Sequence, residues 1–355
     1  MSRFLNSRYE TLEPYTPGEQ PKVAGKLIKL NTNENPYKPA PEVIEAINDE
    51  ELNRLKLYSE PAASVLTDAI AEYYGIDGNQ VIAGNGSDEI LAFIFMAFQG
   101  ESGRIYYPEI SYSFYPVYCD IFGAEGVKVP LADDFSVNIS DYFGVDGTIV
   151  ITNPNAPTGM ALSLEQIEEI LKKNSNNLVV IDEAYVDFGA QSAVSLIDDY
   201  DNLLIVQTLS KSRSLAGARV GFAMGNSETI ADMNRIKFSF NPYNLNRLSI
   251  IAGAAAMKNR AYFTETRKKI METRESFVDR MKGMGFEVLP SKANFVFARH
   301  DEISGEEYFT KLRKYNIIVR HFSNEKISDY VRITIGTPQE MAALTDATAE
   351  ILGQR

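Results

Sequence analysis

Four short apolar runs, each closed by polar residues, constrain this chain more than any other feature. They are "RIYYP" (104–108), "GTIVITNP" (147–154), "NLVVIDEAY" (177–185) and "NLLIVQTLS" (202–210). A strand that is apolar on both faces must be covered on both faces, and these runs are separated by helical patterns. They predict an α/β fold with a mostly parallel sheet between helices. In such sheets ligands bind beyond the carboxyl ends of the strands. The polar residues that end each run are therefore the place to look for chemistry.

The helical segments carry their own stop and start signals. Leu66, Ala69, Ile70, Tyr73 and Tyr74 form one apolar stripe, which Gly75 ends. Ser163 and Gln166 are spaced as a capping box before Ile167, Ile170 and Leu171, and Thr337 with Glu340 repeats that spacing around Pro338. After about residue 245 a long helical stretch, "AYFTETRKKIMETRESFVDRMKGMG", leads to strands "FEVLP", "ANFVFAR", "IIVRHF" and "YVRITIG" with a helix "GEEYFTKLRKYN" among them and a final helix. The expected plan is an N-terminal arm over residues 1–39, associated with a small domain, a large domain over 40–260 and the small α+β domain over 261–355. The arm, with "YTPGEQPK" and "LNTNENPYKPAP", reads as extended chain and turns.

Composition excludes several classes. A net charge of −13 opposes binding to nucleic acid or anionic lipid. The longest apolar run, "ILAFIFMAF", has nine residues, where a membrane span needs about 20, and so reads as a buried helix. The first residues contain no apolar targeting segment, and the single Cys119 cannot form an internal disulfide. A cytoplasmic protein that binds a small molecule, without a metal site, is expected.

Each strand end has a plain structural reading when taken alone. "GNGSDEILAF" is a glycine turn before a helix, but free backbone N–H groups there also make an anion cradle. Asp182 directly after "LVVI" is an acid that can hold a protonated aromatic nitrogen, and Tyr185 lies three residues on. Asn153 and Asn155 follow a third run in a proline-fixed turn. Tyr112 can lie flat on a planar ligand. Lys211 follows the last run in the company of Ser210, Gly217, Arg219 and Gly221. Together they supply the needs of pyridoxal 5'-phosphate: an amine, an acid for the ring nitrogen, donors for the phenolic oxygen, a stacking group and a phosphate cup.

On these segments the chain resembles the fold type I pyridoxal-phosphate aminotransferases and, within them, is similar to the histidinol-phosphate aminotransferase family. The segments "LEPYTPG", "KLNTNENP", "GNGSDEIL", "NPNAPTG", "IDEAYVDF", "TLSKSRSLAGARVGF", "NPYNLNRLS" and "VRITIG" occur in that family's order. The resemblance implies that Lys211 anchors the cofactor covalently and moves the substrate's Cα proton, and that Asp182 pairs with the ring nitrogen. It implies contacts from Asn155 and Tyr185 to the phenolic oxygen and stacking by Tyr112. Gly86, Ser87, Asp88, Ser210 and Arg219 would hold the phosphate. Tyr58 would reach the neighbouring active site of a homodimer. Arg332 and Arg320, with Tyr15 and Asn33, would receive the substrate.

The implied reaction is amino transfer between histidinol phosphate and 2-oxoglutarate in histidine biosynthesis. Aromatic amino-acid transamination and threonine-phosphate decarboxylation are the alternatives within the same chemistry, and ligand sensing without catalysis is a third. Some positions depart from the family pattern: Ser212 and Arg213 replace an Ala-Phe pair, Ala156 a frequent asparagine and Ser59 a frequent proline. No family role carries over to Arg213.

Overall fold

Strand Thr148–Thr152 is buried along its whole length, and so are Val179–Asp182 and Leu203–Thr208, as continuous apolar runs require. The computed structural model describes residues 3–20 and 27–353; the end of "YTPGEQPK" lies outside them. In chain order the strands are β1 (Ile28–Lys29), β2 (Val81–Gly84), β3 (Arg104–Pro108), β4 (Glu125–Val129), β5 (Thr148–Thr152), β6 (Val179–Asp182), β7 (Leu203–Thr208) and β8 (Gly221–Gly225). Then follow β9 (Phe286–Val288), β10 (Phe295–His300), β11 (Ile317–Ile318), β12 (Arg320–His321) and β13 (Val331–Thr334).

The large sheet has seven strands in the order β2-β8-β7-β6-β5-β3-β4. All ladders from β4 to β7 are parallel, and only β8 runs against its neighbours. Alternation along the buried strands divides their side chains between two cores. Ile149, Ile151, Val179, Ile181, Leu203 and Ile205 pack on one face, with helices Ser64–Tyr74, Leu164–Lys173 and Arg247–Lys258. Val150, Val180, Leu204 and Val206 pack on the other, with helices Ser87–Ala97 and Tyr115–Phe122. The capping boxes at Ser163 and Thr337 form, and Gly75 ends its helix at φ 72°. Among the described residues no helix is long and apolar enough to cross a membrane.

The smaller C-terminal domain is built on an antiparallel sheet, β12-β13-β10-β9. Its core gathers Ile270, Phe277 and Met281 of helix Arg260–Gly283 with Met341, Leu344 and Ala347 of helix Pro338–Ile351. The run "IIVRHF" does not make one strand. Val319 is buried between two short pieces: β11 pairs with β1 of the N-terminal segment, while β12 pairs with β13. The chain thus changes partner within three residues, and the change ties the N-terminal segment to the small domain beside the large sheet's carboxyl edge.

Candidate active site

Parallel register places the strand ends in a row: Thr152 of β5, Asp182 of β6 and Val206 of β7 are paired neighbours. The order of connections reverses at this edge, since the chain leaves β3 outward to β4 and returns across it to β5. Beyond these ends lies a cavity of about 330 Å³, whose walls include Asp182, Lys211, Tyr112, Arg219, Arg320 and Arg332.

Asp182 forms the floor and is only 3% exposed. Tyr115 donates its hydroxyl to Asp182 Oδ2 at 2.8 Å, and the Ala184 N–H reaches Oδ1 at 3.2 Å. Thr152 Oγ1 lies 2.8 Å from the same tyrosine oxygen. Burial pushes the carboxyl up to about 6, opposed by the Tyr115 and Ala184 hydrogen bonds and raised further by the Asp88 charge. Next to it Glu183, held by Ser192, Ala193 and Gln207, is pushed up to about 7 for the same reason.

A carboxyl whose folded pKa lies above its unfolded value stabilises fully below the unfolded value, and that contribution is lost as pH rises through the folded one. For Asp182 the window runs from its ordinary 3.8 to about 6. Cofactor-free Asp182→Asn protein is therefore expected to gain stability relative to the unaltered chain on going from about pH 4 to pH 7, by on the order of 2 kcal/mol. Urea unfolding at both pH values measures it, and a difference that stays constant contradicts it.

The opposite wall is an anion cradle. Helix Ser87–Ala97 begins after Gly86, which sits at φ 83°, and Gly86 leaves no room for a side chain beside the Arg219 guanidinium. Arg219 binds Asp88 Oδ2 at 2.6 Å, and Tyr112 donates to Asp88 Oδ1 at 2.7 Å. Gly221 packs directly on the backbone at Gly86 and Ser87, so a Cβ there would overlap the Ser87 nitrogen. Gly221→Ala is expected to destabilise by about 2 to 3 kcal/mol and to weaken anion binding. Unfolding and cofactor titration check this. Ser210 is buried behind the cradle, with its Oγ 2.9 Å from Thr208 Oγ1.

Lys211 enters from the loop after β7. Its Nζ donates to the Thr32 carbonyl at 3.0 Å and lies 5.8 Å from the centre of the Tyr185 ring. The Tyr185 hydroxyl accepts from Asn33 Nδ2 at 3.0 Å. Tyr112 presents its ring to the cavity and stands edge-on to Tyr115 at 5.6 Å.

Arg320 and Arg332 are register partners on β12 and β13, and both line the cavity. Arg332 donates to the Asn31 carbonyl at 2.9 Å, while its Nε is buried without a partner; burial and the neighbouring Arg320 lower its pKa. Neither arginine pairs with a carboxylate among the described residues, whereas Arg219 does. Tyr15 joins this wall; burial raises its phenol's pKa, against the pull of the two arginines.

One sequence expectation is placed elsewhere. Asn155 does not line the cavity: its Nδ2 donates to the Ile110 carbonyl at 2.9 Å and to Thr158 Oγ1 at 3.1 Å, leaving Oδ1 buried without a partner. From that turn Ala156 and Pro157 face the cavity instead. Gly86 shapes the cradle from behind, and Tyr58 is 80% exposed, stacked on Tyr243 at 4.6 Å. Arg213 is buried over the Phe263 ring at 3.5 Å and donates to the Ala256 carbonyl, a packing role away from the cavity. Sequence reading missed Tyr115, Thr152 and Thr208, which surround the functional residues.

The residues present fit pyridoxal phosphate on structural grounds: a buried carboxyl at the floor, an amine opposite, a flat aromatic ring and a glycine-lined helix N-terminus that a Cβ would fill. The comparisons agree. Residues 25–347 match the family model described as "Aminotransferase class I and II". "Histidinol-phosphate aminotransferase 2" of Dechloromonas aromatica (strain RCB) is 52% identical over 357 residues, covering 99% of this chain and 100% of that protein. The histidinol-phosphate aminotransferase of Brachyspira hyodysenteriae (strain ATCC 49526 / WA1) is 52% identical over 96% of each. The crystal structure of the enzyme of that name from Clostridium acetobutylicum superposes with a TM-score of 0.86 at 26% identity, over 93% of this chain and 100% of that one. With the cavity, its residues and these likenesses together, the chain belongs to the class I and II aminotransferases, within the histidinol-phosphate aminotransferase family.

Proposed function

We propose that the cavity binds pyridoxal 5'-phosphate and that the protein transfers the amino group between L-histidinol phosphate and 2-oxoglutarate, giving imidazole acetol phosphate and glutamate, in histidine biosynthesis. The observation that carries the substrate reading is the pair of guanidiniums, Arg320 and Arg332, facing the cavity without carboxylate partners among the described residues. Histidinol phosphate brings a phosphate and no carboxylate, and 2-oxoglutarate brings two carboxylates. Two planar, always charged forks can receive either anion through charge-assisted bonds.

When bound, the cofactor supplies an electron sink for the substrate's Cα. The chain's residues do the rest. Asp182 holds a proton on the ring nitrogen, Lys211 Nζ takes and returns the proton at Cα, and Tyr185 donates to the phenolic oxygen. The cradle at Ser87 and Asp88, with Ser210 and Arg219, holds the cofactor's phosphate. Asn155 is left out of this set, because its amide is engaged by the Ile110 carbonyl and by Thr158.

The test is a half-reaction screen. The bound cofactor's absorbance is followed with histidinol phosphate, phenylalanine, tyrosine and threonine phosphate, and CO₂ release is recorded alongside. Rapid bleaching by histidinol phosphate without CO₂ is expected; preference for a carboxylate-bearing aromatic donor, or CO₂ from threonine phosphate, overturns the substrate.

A homodimer with shared active sites is part of the proposal, and so are a cytoplasmic location and divisions near residues 39 and 260. Exposed Leu55, Leu57, Tyr58, Phe240 and Tyr243 support the dimer, because their apolar surface is costly to leave in water. Helix Arg260–Gly283, capped by Asn259, supports the second division. Sedimentation is expected to give twice the chain mass, and Tyr58→Ala to weaken cofactor binding; a monomer that binds cofactor tightly contradicts both.

A further inference from the structure

We propose that Asn33 is a positioning residue for Tyr185: its amide occupies the tyrosine oxygen as a donor, so that the phenolic proton is left to be given into the cavity. The proposal rests on the reading that the cavity holds pyridoxal phosphate.

The orientation of the Asn33 amide follows from its partners. The Asn33 N–H donates to Thr334 Oγ1 at 3.0 Å, and the Thr334 hydroxyl donates in turn to Asn33 Oδ1 at 3.0 Å. A threonine hydroxyl has one proton to give, and this one goes to Oδ1. With Oδ1 turned to the Thr334 hydroxyl, the Nδ2 side of the amide faces Tyr185, where it donates at 3.0 Å. Asn294 Nδ2 fixes the Asn33 carbonyl at 3.0 Å. Asn33, Thr334 and Asn294 are each no more than 2% exposed, so water does not compete for these bonds. Asn33 sits at φ 56°, a conformation that asparagine tolerates better than most residues.

Tyr185 has little freedom of its own. Its ring stands edge-on to Phe295 at 5.0 Å, and its oxygen has no partner but Asn33 among the described residues. With the acceptor side taken, the O–H can serve only as a donor. That polarity suits a phenolic oxygen carrying negative charge. It also compensates for the turn at Asn155–Pro157, which offers Ala156 to the cavity in place of an amide.

Consecutive residues of this segment collect the site's other groups. Arg332 donates to the Asn31 carbonyl at 2.9 Å and Lys211 to the Thr32 carbonyl at 3.0 Å. Thr334, which orients Asn33, lies two residues along β13 from Arg332. The small domain's anion-binding strand is thereby wired to the donor polarity of Tyr185.

A donor on the phenolic oxygen favours loss of the proton it shares with the neighbouring nitrogen, so removing the donor raises the pH midpoint of the bound cofactor's absorbance. The test compares that midpoint in Asn33→Asp, Asn33→Gly, Tyr185→Phe and the two double variants, with melting of each protein as a fold control. The carboxylate introduced by Asn33→Asp can only accept, and would draw the tyrosine proton away from the cavity; glycine accommodates the positive φ and removes the amide. Asn33→Asp is expected to raise the midpoint by about one unit, most of the Tyr185→Phe shift, and Asn33→Gly by less. In the Tyr185→Phe background the glycine change is expected to add less than about 0.2 unit. Midpoints unmoved by either single change, or equal shifts with and without the Tyr185 hydroxyl, overturn the proposal alone. An unaltered protein that binds no pyridoxal phosphate overturns the functional reading with it.

Discussion

Lys211→Ala protein is expected to transfer amino groups from histidinol phosphate at least about 10⁴-fold more slowly than the unaltered chain, since one substitution removes both an anchor and a proton-transfer base. Among the described residues that line the cavity, Lys211 brings the one amine, held at Thr32 beside Tyr185, while the other cations are guanidiniums that do not give up a proton at neutral pH. The fold should survive, because the Lys211 side chain is half-buried and its loop is held by Asn35 through the backbone carbonyls of Lys211 and Ser212. Single-turnover absorbance with histidinol phosphate measures the loss. A variant within tenfold of the unaltered rate contradicts the mechanism.

Asp182→Asn is expected to lower kcat/KM by about 10³-fold, the cost of removing one preorganised charge from a dry site. The amide keeps the size of the carboxyl; with its oxygen on the Ala184 N–H, its NH2 faces the Tyr115 oxygen, which accepts and turns its own proton to Thr152 Oγ1, so the loss isolates the charge. The same variant is the one expected to gain stability relative to the unaltered chain between about pH 4 and pH 7 when free of cofactor. Function here opposes stability: the site keeps a buried acid whose ionisation costs free energy until a cation lies against it. Steady-state kinetics with saturating cofactor reads the first effect, and equal kcat/KM values contradict it.

The buried strands were legible because continuous apolar runs ended by turn residues have few other foldings. β5, β6 and β7 follow "TIVIT", "VVID" and "LLIVQT" closely. Strands β2, β4 and β8 were not legible. β4, "EGVKV", lies at the sheet edge with Glu125, Gly126 and Lys128 exposed, so its sequence carries no apolar signal. β8, "GFAMG", is bounded by glycines whose purpose appears only when Gly221 is seen against the Ser87 backbone.

The site shows the same division. Lys211 and Asp182 stand at the ends of strong strand signals, and the anion cradle follows from glycines before a helix. Asn33 and Tyr185 meet across 152 residues of sequence, and no local pattern announces such a contact. Tyr115 reads as one more aromatic in an apolar helix, yet it holds the floor carboxylate. Asn155 shows the opposite case: its turn suggests an amide for the cofactor, and the Ile110 carbonyl in the loop after β3 holds that amide instead.

The central claim is that Lys211 is the amine that holds the cofactor. The direct measurement is to load the protein with pyridoxal phosphate, reduce it with borohydride, digest it and locate the pyridoxyl group by mass spectrometry. A single modified peptide carrying the group on Lys211 is the predicted result; modification at another lysine, or none, contradicts the account.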